Sequence, residues 1–475
     1  METATRPGRH ARPSARRSIK RATWAPVALG QFLLAVYATT STTAMVLVVG
    51  SAIITALCFL FPVAMMVMVF PATYAYWRVG PAAVGMSVTD LLAMLGTIAA
   101  LPYVPWQSPA FKRALLATTM YAVMLGVTDI AHPTKATLAE TGHRFILVMG
   151  AICIGAALAR LGRARLAMLT MLASSAVVAL ASIEYTLIHH LRPAYPFGMQ
   201  KNSAGVLITM SFVMLFTGAR VIALPRWLLF ATGGLLLAGL AATQSRGSGL
   251  ALIVVFAVYV MRNGWQGQFR KIARLAPVII VASIGILAVA AVTYTSRDAT
   301  LSGTQSRYNT VGSRETAYSA AIDHVFIPSP LFGGGLKWFN RPGAPGILPH
   351  DLIVSELSEV GLFGTLGFVA WLWMLLLLCR RLRTEMGEMA WYVLVVRILA
   401  AMVDIFWAAG PGTLPFLVIG LAIGDDEAGT ATPVEPRSML ELCPARSCGC
   451  SACTTQGSSG PGANATANCA TRGST

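Results

Sequence analysis

Apolar runs close to the roughly 20 residues a helix needs to cross a bilayer recur along most of this chain. They lie near 24–76, 86–104, 111–130, 142–160, 165–187, 201–218, 226–243, 247–261, 275–294, 352–378, 388–406 and 411–424. Lipid offers the backbone no hydrogen-bond partner, so each run has to be a helix that satisfies its own amides. The expected fold class is therefore all-α, a polytopic transmembrane helical bundle of about twelve spans with one long extracytoplasmic loop. Composition agrees, since 56% of the 475 residues are hydrophobic and 12% charged, at a mean hydropathy of +0.66. Such a chain has too little polar surface to be wrapped in water.

The net charge of +17 would point to nucleic acid in a soluble protein. Here it marks topology, and no nucleic-acid partner is expected. Seven basic residues fall in the first 21 positions, and others sit in short loops: Arg160, Arg163 and Arg165; Arg220 and Arg226; Arg262, Arg270, Lys271 and Arg274; Arg380, Arg381 and Arg383. Placing these clusters in the cytoplasm puts 130–143, 189–201, 244–247 and 296–351 outside. The chain then divides into a basic cytoplasmic arm (1–23), transmembrane helices (24–295), an extracytoplasmic catalytic loop (296–351), C-terminal transmembrane helices (352–424) and a disordered cytoplasmic tail (425–475). The apolar stretch 24–76 would hold two helices by length, whereas a cytoplasmic N-terminus calls for an odd number.

Of eight cysteines, Cys58, Cys153 and Cys379 lie in or beside apolar spans. The other five, Cys443, Cys448, Cys450, Cys453 and Cys469, fall in the Gly/Ser/Thr/Ala-rich tail. Their spacing is that of a metal knuckle, but no His accompanies them, so neither a metal site nor a disulfide framework is read there.

Ionisable residues gather at the outer ends of the spans: Asp129, Glu184, His189, His190, Arg192, Lys201, Arg246 and Asp404. A charge near membrane depth is costly unless it faces a cavity or a partner, although a single one at a span end can snorkel to the headgroups. Three segments stand out. PFGMQKNSAG (196–205) puts Lys201 and Asn202 at the start of a span, and TQSRGSG (243–249) is an outer turn whose Arg246 runs against the positive-inside bias. The loop to His350 carries Arg297, Arg307, Arg314, Lys337 and Arg341, and its stretch 313–326 has the spacing of a short surface helix including Tyr318. It is followed by a Gly-rich turn and by His350 at the mouth of the next span, with Glu356 and Glu359 one and two turns deeper. Arg397 and Asp404, seven residues apart, form either a transporter-like pair or a structural brace.

The order K-N-x-x-G (201–205), S-R-G (245–247), S-R-E-x-x-Y (313–318), P-L-F-G-G-G (330–335) and then H-D followed by L-S-E-V-G-L-F-G (350–364) resembles the O-antigen ligase and polysaccharide polymerase family. The chain departs from it with Asp351 where Asn is usual and Gln200 where one branch often has His. The resemblance implies a metal-independent, cofactor-free membrane glycosyltransferase. It would take glycan from an undecaprenyl diphosphate-linked donor on the outer face of the bacterial cytoplasmic membrane and join it to a glycan, lipid or protein acceptor. A diphosphate leaving group needs fixed positive charge, and Arg supplies a planar fork that stays protonated. Arg246 and Arg314 would hold it, with Lys201 a third member. Histidine ordinarily titrates near neutrality, which suits His350 to take the acceptor's proton, oriented by Glu359 or Asp351. Asn202 and Tyr318 would complete the substrate contacts. The competing expectation is a lipid-linked glycan flippase or another multispan transporter, although transport sites usually lie nearer the bilayer midplane. An envelope scaffold, which would leave Arg246 and His350 without a task, ranks third.

Overall fold

The computed structural model describes residues 56–58, 60–75, 87–189, 192–263, 310–340, 349–407 and 409–430. All lie in one of the two units into which the chain divides, residues 14–431. No strand occurs among them, so the all-α expectation holds for this part of the chain.

The helices are α1 (Pro62–Ala72), α2 (Val88–Ala100), α3 (Pro109–Ala131), α4 (Lys135–Arg160), α5 (Ala164–Ile188), α6 (Lys201–Thr217), α7 (Arg226–Thr243), α8 (Arg246–Asn263), α9 (Thr310–Ala321), α10 (Leu352–Arg381), α11 (Glu385–Ala401) and α12 (Ala409–Thr430). Five of them, α3, α4, α5, α7 and α10, are long and apolar enough to cross a membrane. Several others are shorter apolar helices, α1, α2 and α6 among them. The runs expected before residue 56 and at 275–294 fall outside the described residues.

Local chemistry accounts for the helix starts. Ser87 and Asp90 form a reciprocal capping box on α2, Ser108 caps α3 ahead of Pro109, and Thr134, Asp351 and Thr384 accept from the first-turn amides of α4, α10 and α11. Close packing relies on small residues. Gly155 on α4 and Gly420 and Gly424 on α12 let these two helices approach so closely that a Cβ at any of the three would overlap the other helix's backbone.

Basic residues collect at one end of the bundle. Arg160 Nη1 donates to the carbonyl of Val104 at 3.3 Å, Arg165 Nε to that of Ile222 at 3.0 Å, and Arg220 Nη1 to Glu385 Oε1 at 2.7 Å. These are members of the clusters that the sequence assigns to a single side. The residues around His350 lie at the opposite helix ends.

The segment expected to be a long loop is structured where it is described. α9 runs on into a π-helical turn, Ile322–Phe326, and buries Ala317, Ala320, Ala321 and Val325. The helix expected across 313–326 is present.

Candidate functional site

The Gly-rich turn and α10 are built for each other. α10 breaks at Gly361, whose φ of 67° and ψ of −171° belong to a region open essentially to glycine alone. A break frees backbone groups, and here the Pro330–Gly335 turn takes them up. Gly334 N donates to Ser358 O and Gly335 N to Glu359 O, both at 2.8 Å, while Leu362 N donates to Pro330 O at 2.8 Å and Phe363 N to Leu331 O at 3.2 Å. A Cβ on Gly333 would lie 2.6 Å from the Ser358 carbonyl oxygen, and one on Gly361 would overlap Leu331. The two glycine motifs are thus halves of one backbone-to-backbone joint, with His132 Nε2 donating to Gly333 O at 2.7 Å from the end of α3.

Beneath this joint lies a buried charge network that the sequence reading did not anticipate. Arg144 on α4, 3% exposed, spends all three guanidinium nitrogens on carboxylates. Nε donates to Glu140 at 3.2 Å, Nη1 to Glu356 at 3.1 Å and Nη2 to Glu359 at 2.9 Å. Lys337 enters from the turn, its backbone N donating to Glu359 Oε1 at 3.1 Å and its Nζ pairing with Glu140 Oε2 at 3.3 Å. His143 bridges Glu140 and Asp90 at 3.2 and 2.9 Å. A π-helical turn, Ile146–Gly150, follows directly in α4, as such turns often do at functional positions. The available signal was Glu140 and Arg144 four residues apart at the edge of an apolar run, a spacing that puts both on one helix face.

His350 precedes α10 rather than riding on it. Its Nδ1 lies 3.3 Å from Asp404 Oδ1, and its side chain is 40% exposed. Neither residue expected to orient it does so. Asp351 is the N-cap of α10, accepting from Ile353 N at 2.9 Å and Val354 N at 3.0 Å, and Glu359 belongs to the Arg144 network. Asp404 was seen in the sequence only as an outer-end charge or as the mate of Arg397. Arg397 instead donates to the carbonyls of Ile405 and Phe406.

The other expected site residues meet nearby. Ser245 Oγ donates to Asn202 Oδ1 at 3.3 Å, and Gly205 packs against Ser245 and Ser248, which brings the N-termini of α6 and α8 together. Lys201 opens α6, half-buried, and Arg246 opens α8, exposed. Both cations therefore stand at helix N-termini, where aligned backbone dipoles add positive potential. Gly247 packs tightly on Val403, the neighbour of Asp404, and so ties this corner to His350. Tyr318 Oη on α9 donates to His350 O at 3.5 Å. Arg314 lies one turn before Tyr318 on that helix, and its side chain is outside the described residues.

Residues 231–369 match the family model described as O-antigen ligase. The matched segment contains Arg246, Arg314, Tyr318, the glycine joint, His350, Asp351 and Glu359, whereas Lys201, Asn202, Arg144 and Asp404 lie outside it. No curated protein matches the chain. The match and the apolar helices together support a multi-pass membrane protein with a glycan-ligating function.

Proposed function

We propose that this protein transfers or polymerises glycan from an undecaprenyl diphosphate-linked donor onto an acceptor hydroxyl, without a metal, on the extracytoplasmic face of the bacterial cytoplasmic membrane. The observation that carries the reading is that the segment matching the ligase model holds an exposed cation at a helix N-terminus, Arg246, and an imidazole, His350, backed by a carboxylate. Arg246, with Lys201 beside it and Arg314 from α9, holds the diphosphate. Asn202, Tyr318, Asp351 and Glu359 belong to the substrate site or shape it.

The chemistry balances on these groups. The acceptor oxygen attacks the anomeric carbon as the bond to the diphosphate oxygen breaks, with inversion at that carbon. The hydroxyl proton passes to His350 Nε2, and Asp404 at Nδ1 steadies the imidazolium that forms. The electron pair leaves with the carrier diphosphate, where guanidinium forks meet the charge as it grows.

One feature favours the flippase reading: buried charges such as Arg144 and Glu356 resemble the intramembrane ionisable groups of transporters. Purified protein in liposomes, given lipid-linked glycan and acceptor, separates the two. A transferase forms a new glycosidic linkage and releases carrier diphosphate. Movement of donor across the bilayer with no new linkage would overturn the proposal.

A further inference from the structure

Asp404 sits in Met402–Trp407, a connection between α11 and α12 without regular secondary structure. No helix fixes its position, and its pairing with a half-open His350 competes with water. Two side-chain anchors hold the segment. Arg397, 1% exposed, grips the carbonyls of Ile405 and Phe406. Trp407 Nε1 donates to Glu356 Oε1 at 2.7 Å, and Glu356 is fully buried.

The second anchor is built with care. The Trp407 ring lies under the Arg144 guanidinium, 4.5 Å from centroid to Cζ. It is also nearly parallel to Tyr121 and Trp371, at interplanar angles of 5° and 14°. Arg144 Nη1 donates to the same Glu356 oxygen at 3.1 Å. The same stretch of chain, from His350 into the first turns of α10, thus touches 404–407 twice, through His350 to Asp404 and through Glu356 to Trp407. Two contacts fix a register that one leaves free to slide.

We infer that Trp407 and Glu356 form a positioning pair that sets the Asp404 carboxylate against His350. Neither touches substrate, and both act through Asp404. This inference rests on the proposed role of His350 in proton transfer.

The test is a double-mutant cycle on full-length protein in lipid, with a lipid-linked oligosaccharide as donor. Trp407→Phe keeps a stacked ring and deletes the N–H. Its kcat should fall about 10-fold or more, as small misplacements of catalytic groups do. KM for donor should stay unchanged, and the pH profile of kcat should move toward that of Asp404→Asn. In an Asp404→Asn background, Trp407→Phe should do nothing further. Glu356→Gln keeps an acceptor without its charge and should give a smaller drop with the same dependence on Asp404, which covers the case of a poorly folding Trp407 variant. Unchanged kcat in Trp407→Phe, or losses that multiply independently of Asp404, would overturn the inference and leave a purely structural contact. His350→Ala at the wild-type rate would instead overturn the transferase reading itself.

Discussion

The imidazole of His350 lies 3.3 Å from the carboxylate of Asp404, 54 residues further along the chain. Asp404, rather than Asp351 or Glu359, is thus the carboxylate beside this imidazole, and the pair joins two separate helix ends.

His350→Ala should leave carrier binding almost unchanged and slow turnover at saturating donor. General-base assistance is worth about 10²- to 10⁴-fold, or roughly 3 to 5 kcal/mol of barrier. Steady-state rates and carrier binding on the same preparation check this. Near wild-type turnover would remove His350 from the chemistry.

Replacing Arg246 or Arg314 by Lys keeps the charge and loses the bidentate fork. The expected effect is on carrier affinity, weakened roughly 10- to 100-fold, equivalent to the about 1.5 to 3 kcal/mol of a hydrogen bond to a charged group. Equal affinity in both variants would place the diphosphate elsewhere.

Gly361→Ala should destabilise the protein by at least about 1 to 3 kcal/mol from backbone strain, with the overlap against Leu331 added. Gly126→Ala on α3 is the control, because an added Cβ there meets nothing within 4 Å. Thermal unfolding in detergent should separate the two, and equal midpoints would contradict the tight joint.

Arg144→Met leaves Glu140, Glu356 and Glu359 buried without their shared cation. Removing one side of a buried charge pair costs about 3 to 5 kcal/mol, and Lys, a single point charge, should restore only part of it. Unfolding midpoints of Arg144→Met, Arg144→Lys and wild type give the order. A Met variant as stable as wild type would mean the carboxylates are held by other means.

Sidedness is open to direct labelling. In a cysteine-free variant, Asp323→Cys on the π-helical turn after α9 should react with an impermeant reagent in intact cells, and Arg383→Cys, just after α10, only after permeabilisation. The reverse pattern would place the site in the cytoplasm.

The helices were legible in the sequence because lipid imposes a local rule. An apolar stretch must satisfy its own backbone within itself, so α3, α5, α7 and α10 could be drawn from the apolar pattern alone, whereas α4 starts at Lys135, within the stretch 130–143 expected to be an outer loop. The glycine motifs were visible as residue patterns, though not the joint they form. Arg246, Lys201, Asn202 and His350 stand out in the sequence for a related reason, each a polar residue at the edge of an apolar run.

The pairings were another matter, since a charge in a sequence does not say which helix will answer it. Glu359 was one of two carboxylates, with Asp351, offered to His350, but the break at Gly361 and the turn seated in it belong with an environment where Glu359 faces Arg144 and Lys337. Arg144 drew no reading from the sequence, and its partners Glu140, Glu356 and Glu359 come from two helices that packing brings together. What the sequence determined was the one-dimensional pattern set by solvent: which segments form apolar helices, and which polar residues stand near their ends. What only the tertiary structure decided was the partner of each buried charge, because that depends on which helices pack together, and a charge taken out of water can persist only beside the group that packing brings to it.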